Sequence, residues 1–260
     1  MFIEFKKQSW DKNDYIQLQN FLYQNVDATY REFNKKIVKT KLPLLGVRVP
    51  IIRKLASNIA KGNIRDYLKI CKDETFEEAL LHGFVLAKLK CDFKELIFLF
   101  DDYITVFENW AICDMTVSSL KQFTKNQKAG YDYLIECINS ENPWKVRVGL
   151  LLMLSFYINE FYIDDIIKNC KFVSSRSFPS ISLTYDYRKP DYYVKMGNAW
   201  LLSVCFIKFP AKTKTFLEKY EIDEKTYKMT VCKITDSKRV PNERKLYLKK
   251  LAKNYPSQKA

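Results

Sequence analysis

Residues 75–90 read TFEEALLHGFVLAKLK, and this stretch indicates the fold of the chain. Its apolar residues repeat at the three- and four-residue spacing of an amphipathic helix. They are Phe76, Ala79, Leu80, Gly83, Phe84 and Ala87. Thr75, with a glutamate three residues later, has the pattern of a capping box at a helix start. The stretch therefore predicts a helix that begins near residue 75 and ends near residue 90.

The same spacing recurs along the chain, and prolines 50, 143 and 241 stand where first helical turns are expected. Predicted helices lie near 10–23, 27–39, 49–61, 64–71, 75–90, 93–100, 103–123, 127–139, 143–158, 160–170, 191–208, 211–220, 223–238 and 241–253. Successive pairs recur at roughly 35 to 45 residues, the period of HEAT-type repeats. The best candidate strand, residues 180–187, is short and flanked by prolines. The sequence predicts an all-α, HEAT-like helical-repeat solenoid.

The chain is expected to form a single domain over residues 1–260, with its core at about 10–252. Only 6 glycines and 8 prolines occur, and no long Ser/Gly linker divides the sequence. Residues 171–190 interrupt the helical pattern and are rich in serine and tyrosine. Connections of this length are often functional, but an inserted loop without a role is an equally good interpretation.

Charge makes a polyanion the first partner to test, because 44 Lys and Arg stand against 30 Asp and Glu, a net charge of +14. Residues 31–65 hold ten basic residues and one acid, whereas residues 66–114 hold five and eleven. This alternation suits a solenoid with a basic concave face, although solvated basic surfaces are common. No apolar stretch approaches a membrane span of about 18 residues, and residues 1–10 lack a signal-peptide core. A cytoplasmic monomer is expected.

Cysteine and histidine usage gives no indication of a metal site or a cofactor. The seven cysteines are isolated, with no CxxC pair, and are interpreted as reduced core thiols. The one histidine, His82, lies in the helical pattern of residues 75–90, where a packing role is expected. A single histidine is too few for a zinc site built on a histidine pair, and it gives little support to a Ser-His-Asp triad.

Two pairs of residues are candidates for a catalytic or anion-binding site. Trp110 and Asp114 are four apart, so a helix places both on one face. An aromatic face can stack on a sugar or base, and a carboxylate can stabilise a cation or orient water. Lys145 and Arg147 occupy the start of a helix, where the dipole disfavours cations unless an anion collects them. Taken singly, each of these residues, and Trp200, is more often a packing residue.

Five motifs occur in an order that identifies a resemblance. They are LGVRVP at 45–50 with Arg53, WAICD at 110–114, WKVRVG at 144–149, DYYVKMGNAWLLSVCFIKFP at 191–210 and SKRV at 237–240. Together they resemble the bacterial DNA alkylation repair family of HEAT-like repeat glycosylases. The resemblance covers about residues 10–252.

The resemblance implies a basic solenoid that holds double-stranded DNA and removes alkylated purines such as 3-methyladenine and 7-methylguanine, without flipping the base. Asp114 is then the catalytic carboxylate, and Trp110 and Trp200 pack against the deoxyribose of the lesion. Arg147 is the phosphate-contacting arginine. The other basic residues expected along the DNA are Lys145, Arg48, Arg53, Arg188 and Arg239. Neither a metal nor a cofactor is implied.

The residue set fits this chemistry independently of the resemblance. An N3- or N7-alkylated purine is cationic and leaves as a neutral base, so no strong general acid is needed. An ionised carboxylate stabilises the oxocarbenium-like sugar and positions water, while aromatic faces add cation–π attraction. Two alternatives stay open: a catalytically silent DNA-binding protein of the same family, and a HEAT-type protein-interaction scaffold with Trp110 and Trp200 buried apart.

Overall fold

A computed structural model describes residues 4–178 and 190–256 of the chain. The described residues fall into two compact units, 4–129 and 130–178 with 190–256. They are called unit 1 and unit 2 below and are described separately. The expectation of a single domain stays a prediction.

Unit 1 is built from seven helices. They are α1 (Lys12–Gln24), α2 (Ala28–Ile37), α3 (Val49–Ile59), α4 (Ile64–Ile70), α5 (Phe76–Leu86), α6 (Phe93–Tyr103) and α7 (Trp110–Val117). Short 3₁₀ turns lie at Ile104–Val106 and Lys121–Thr124. Helix α5 is at the centre, because it contacts α3, α4, α6 and α7. Ten of its eleven residues are buried, so the helix is enclosed more completely than the amphipathic pattern of this stretch predicts.

Unit 2 contains most of α8 (Gln127–Asn139) and six further helices. They are α9 (Pro143–Leu152), α10 (Ile163–Ser174), α11 (Pro190–Lys208), α12 (Pro210–Glu218), α13 (Glu224–Asp236) and α14 (Asn242–Lys253). A π-helical turn, Met153–Tyr157, follows α9. The long helix α11 contacts α9, α10, α12 and α13 and forms the centre of this unit.

The prediction of an all-α fold is confirmed, since the described residues form fourteen α-helices and no strand. This succession of short helices is consistent with a helical-repeat solenoid. Within the described ranges, no helix is both long and apolar enough to cross a membrane. The candidate strand at residues 180–187 lies outside the described residues. The first residues of the expected insertion, 171–174, form the last turn of α10.

One predicted helix, 103–123, is wrong as a continuous element. Helix α6 ends at Tyr103, and a new helix begins after Asn109. The Asn109 side-chain oxygen accepts hydrogen bonds from the backbone N–H of Ala111, at 2.9 Å, and of Ile112, at 3.1 Å. Asparagine is among the best N-cap residues because it satisfies such donors. The cap therefore makes Trp110 the first residue of α7.

The predicted capping box at α5 is half formed. The Thr75 hydroxyl accepts a hydrogen bond from the Glu78 N–H at 3.2 Å. The Glu78 carboxylate does not close the box, because it accepts hydrogen bonds from Tyr15 and Gln19 of α1 instead. The Glu78 side chain thus makes hydrogen bonds that connect α1 to α5 instead of capping its own helix.

A buried carboxylate holds the LGVRVP motif in place. Glu77 of α5 accepts three backbone hydrogen bonds, from Leu45 at 3.0 Å, Gly46 at 2.7 Å and Val47 at 3.1 Å. Burial raises the pKa of Glu77, although these donors act in the opposite direction. Gly46 has a φ of 97°, a left-handed conformation that favours glycine. The motif therefore has a structural role in positioning the start of α3.

Candidate nucleic-acid interface

Trp110 is anchored at the first turn of α7 with part of its ring accessible. Its indole N–H donates to the carbonyl of Ile37, the last residue of α2, at 3.3 Å. The side chain is half-buried. The hydrogen bond satisfies the polar edge of the indole and restricts its rotation, so the accessible part of the ring has a defined orientation.

Asp114 lies one helical turn after Trp110, on the same side of α7. It is also half-buried, whereas the intervening Ala111, Ile112 and Cys113 belong to the core of unit 1. The helix therefore presents an aromatic ring and a carboxylate side by side, as the four-residue spacing predicts. Such a pair combines an apolar face with a negative charge at one position on the surface.

The position of α7 is set by a close crossing with α5. The Tyr103 hydroxyl donates to the Ala79 carbonyl of α5 at 2.6 Å and lies 3.3 Å from the Thr116 hydroxyl of α7. Gly83 faces both groups, and an added Cβ there would lie 2.2 Å from Thr116 Oγ1. Only glycine permits this approach, and the approach fixes the helix that bears Trp110 and Asp114.

A basic cavity opens beside the same crossing. It has a volume of about 580 Å³. Its lining includes three cations and three hydroxyl groups: Arg53, Lys88, Lys121, Ser57, Ser118 and Ser119. Hydroxyl and cationic groups converging on one cavity form an environment suited to a phosphate group.

Arg53 is the best-defined cation of this cavity. Its guanidinium carbon lies 4.0 Å from the centroid of the Phe84 ring, and Nη1 donates to the Ser119 hydroxyl at 3.1 Å. Burial lowers the pKa of this arginine. Within the described part of the chain, no carboxylate lies at ion-pair distance from Arg53. The cavity thus holds an oriented guanidinium that is not paired with a carboxylate of residues 4–178 or 190–256.

Arg48, by contrast, has an anionic partner within unit 1. Its Nε and Nη2 atoms donate to one carboxylate oxygen of Asp27 at 2.9 and 2.7 Å. The guanidinium also lies 5.1 Å from the centroid of the Tyr30 ring. Asp27 caps α2, and the Tyr30 N–H, followed by Arg48, lowers the pKa of its carboxyl group. Arg48 remains exposed, and its predicted contact with DNA stays a prediction.

Arg147 occupies an interior position that the sequence does not indicate. It is only 3% exposed, and Nη1 donates to the Tyr193 carbonyl of α11 at 2.5 Å. In unit 2 this arginine therefore connects α9 to α11. Its predicted contact with a DNA phosphate stays a prediction, and the geometry assigns it a packing role first. Lys145, two residues earlier in α9, is half-exposed, and its ammonium lies 5.6 Å from the Tyr133 ring centroid.

Trp200, the predicted site residue of α11, is accessible to solvent. Its side chain is 36% exposed, and the Lys233 ammonium of α13 lies 5.9 Å from its ring centroid. Sequence reasoning missed Lys233, because no local pattern links it to Trp200. Lys195 of the same helix is occupied by carboxylates, at 3.4 Å from Asp191 and 3.3 Å from Asp223. Trp200 and Lys233 together form an aromatic and cationic surface in unit 2.

Two predicted DNA-binding residues remain. Arg239 is exposed and follows α13, where its backbone N–H donates to the Ser237 hydroxyl at 3.2 Å. Arg188 lies outside the described residues. The structure therefore brings Trp110 together with Asp114 in unit 1, and Trp200 together with Lys233 in unit 2.

Comparison with known proteins identifies the class to which this all-helical chain belongs. The family model described as DNA alkylation repair enzyme matches residues 18–235, and the chain is a member of that family. No curated protein and no solved structure matches it significantly. The matched range contains Trp110, Asp114, Arg147 and Trp200. Family membership supports a role in DNA repair, with DNA as the partner.

Proposed function

We propose that this protein is a monofunctional DNA glycosylase that hydrolyses the N-glycosidic bond of cationic alkylated purines in duplex DNA. The substrates would be lesions of the 3-methyladenine and 7-methylguanine type. The observation that carries the proposal is the placement of Trp110 and Asp114 side by side on α7, in a member of a DNA alkylation repair family.

The reaction requires little beyond electrostatic stabilisation of the sugar. When the bond between C1′ and the purine nitrogen breaks, its electron pair goes to the cationic base, which leaves neutral. Positive charge then develops on the deoxyribose, where the Asp114 carboxylate stabilises it. Asp114 also orients a water molecule and accepts its proton as the oxygen attacks C1′. The products are a free base, an abasic sugar and a proton.

Trp110 would contribute a preorganised aromatic face. Because its indole N–H is bound to the Ile37 carbonyl, the ring does not have to be immobilised when DNA binds. An electron-rich aromatic face attracts a developing cation. The family resemblance assigns Trp200 the second such role, and its neighbour Lys233 would meet the DNA backbone in the same part of unit 2.

The cavity beside Arg53 supports duplex binding. A guanidinium held by Phe84 and Ser119 is prepared to donate to a phosphate oxygen with little loss of side-chain entropy. Lys88 and Lys121 line the same cavity and add positive charge. The proposal also includes DNA contacts by the remaining predicted residues, which are Arg48, Lys145, Arg147, Arg188 and Arg239.

The scaffold alternative is less well supported. It expects Trp110 and Trp200 to be buried, but Trp110 is half-buried and Trp200 is 36% exposed. The silent DNA-binding alternative shares the fold and the charge of the proposed enzyme. It differs only in the chemical step, so only a chemical measurement separates the two.

Incubation of the protein with methylated duplex DNA, followed by chromatographic measurement of free bases, tests the proposal. We expect release of 7-methylguanine and 3-methyladenine, no release from unmethylated DNA, and strand breaks only after alkaline treatment of the abasic product. Salt-sensitive binding to the same DNA without any base release would overturn the enzymatic proposal and support the silent alternative.

A further inference from the structure

A cluster of three different metal-binding groups lies where the connection between α4 and α5 meets α5. Cys71 and Asp73 belong to the connection between α4 and α5, and His82 lies in α5. One ligand atom from each residue lies within 4.8 Å of the other two. The His82 Nδ1 atom is 2.9 Å from a carboxylate oxygen of Asp73.

The cluster is partly shielded from solvent but not closed. All three residues have intermediate exposure, and Cys71 is a free thiol that donates to the Leu68 carbonyl at 3.4 Å. His82 is held by the rigid helix and by the Tyr103 ring, whose centroid is 4.4 Å from its own. The His82 imidazole is therefore held in place by the fold.

A further carboxylate near the cluster has an unused oxygen. Glu78 is 2% exposed, and its Oε1 accepts hydrogen bonds from Tyr15 and Gln19. Its Oε2 is buried with no hydrogen-bond partner among the described residues. A buried carboxylate oxygen without a donor is costly. The Tyr15 hydroxyl donates to Glu78 Oε1 at 2.8 Å and accepts from the Lys72 N–H at 3.1 Å, which links Glu78 to the segment between Cys71 and Asp73.

We propose that Cys71, Asp73 and His82 bind one zinc ion, with Glu78 or a water molecule completing the coordination. A thiolate, an imidazole and a carboxylate are each ordinary zinc ligands, and four-coordinate sites are the rule. Neighbouring ligand atoms around tetrahedral zinc lie about 3.3–3.6 Å apart, by geometry from the usual bond lengths. The three ligand atoms, now within 4.8 Å of one another, would have to approach that spacing when zinc binds. Binding releases the Cys71 proton to solvent.

The site has a structural consequence for unit 1. The ion would connect the α4–α5 segment to α5 through metal–ligand bonds. His82 packs on Tyr103, and the Tyr103 hydroxyl lies 3.3 Å from Thr116 of α7. The site is thus in contact with the residues that position α7, but it contains none of the groups proposed for base release. Sequence patterns miss it because neither a CxxC nor a histidine pair is present.

Titration of the metal-free protein with Co²⁺ tests the proposal. We expect a thiolate-to-cobalt charge-transfer band that saturates at one equivalent and disappears when Zn²⁺ is added. Cys71→Ser should lose the band. Asp73→Asn and His82→Gln should weaken Co²⁺ binding at least tenfold, roughly the least that even outer-shell substitutions cost. Cys91→Ser is the matched control, because Cys91 is another partly exposed free thiol of unit 1, and it should keep the band.

Thermal unfolding gives a second measurement. Excess Zn²⁺ should raise the unfolding temperature of the wild type and of Cys91→Ser, since a ligand that binds the folded state stabilises it. Excess Zn²⁺ should not change the unfolding temperature of His82→Gln. This variant therefore tests the site even if Cys71→Ser does not fold. The absence of a cobalt band in the wild type, or its loss in Cys91→Ser alone, would overturn the proposal. Neither experiment uses DNA, so the result is independent of base release.

Discussion

Each unit contains a close helix crossing, and the two crossings are stabilised in different ways. In unit 1, α5 crosses α7 at Gly83, and in unit 2, α9 approaches α11 near Gly197. A Cβ added at Gly83 would lie 2.2 Å from Thr116 Oγ1 and 2.6 Å from the Tyr103 hydroxyl. A Cβ added at Gly197 would lie 3.3 Å from Arg147 Nη1, a tight contact that a small shift of the arginine side chain would relieve.

The difference shows how each proposed site residue is positioned. Helix α7, with Trp110 and Asp114, is positioned by direct contact with α5 at Gly83. Helix α11, with Trp200, is placed across a buried arginine that fills the gap and donates to the Tyr193 carbonyl. An arginine expected from sequence to contact DNA thus has a structural role, whereas Arg53, in unit 1, faces an open cavity.

The largest effect is expected from removal of the buried arginine. Arg147→Ala should lower the free energy of unfolding by about 2–4 kcal/mol, because it leaves a cavity and removes the buried hydrogen bond that connects α9 to α11. Urea denaturation measures this loss. Lys145→Ala, two residues away on the half-exposed side of α9, is the control and should cost little. If Arg147→Ala is as stable as the wild type and only DNA affinity falls, the packing role is wrong.

The two glycines give a direct test of the comparison. Gly83→Ala should destabilise the protein by about 1–3 kcal/mol, because overpacking moves Thr116 or Tyr103. Gly197→Ala should change stability by less than about 1 kcal/mol, since helix propensity offsets the tighter contact. The denaturation midpoints of the two variants measure whether Gly83→Ala costs more stability than Gly197→Ala. Equal losses would show that the two crossings do not differ as described.

The smallest of these effects concerns DNA affinity. Arg53→Ala should weaken duplex binding and reduce the slope of log K against log salt by about one, as expected for one lost phosphate contact. Binding isotherms at several salt concentrations measure the slope. Arg65→Ala is the matched control, because Arg65 is an exposed arginine of unit 1 already paired with Glu95 at 2.9 Å. An identical slope in both variants would remove Arg53 from the phosphate site.

Local features of the fold were predictable because they depend on neighbouring residues. Thr75 starts α5 and Asp223 starts α13, each through a side chain that accepts from a nearby N–H. The exception is the predicted helix 103–123, where the cap at Asn109 divides the segment and makes Trp110 a first-turn residue. An asparagine before an apolar run is a signal that could have found this boundary.

The site was predictable only where its residues are close in sequence. Trp110 and Asp114 share a face because their spacing is one helical turn. The burial of Arg147 depends on α11 closing over α9, and the approach of Lys233 to Trp200 depends on α11 packing against α13. The cluster of Cys71, Asp73 and His82 likewise forms only when the connection after α4 folds back on α5. Such contacts between distant residues leave no periodic signal in the sequence.

The central claim is that the Asp114 carboxylate drives base release, and Asp114→Asn tests it most directly. With 7-methylguanine in duplex DNA under single-turnover conditions, release should fall by about 10²–10⁴-fold, the range for loss of a charge-stabilising or proton-accepting group. Affinity for the same DNA should remain close to that of the wild type. Asp102→Asn, which alters an exposed acid of α6, should release base normally. Release by Asp114→Asn at the wild-type rate would contradict the account.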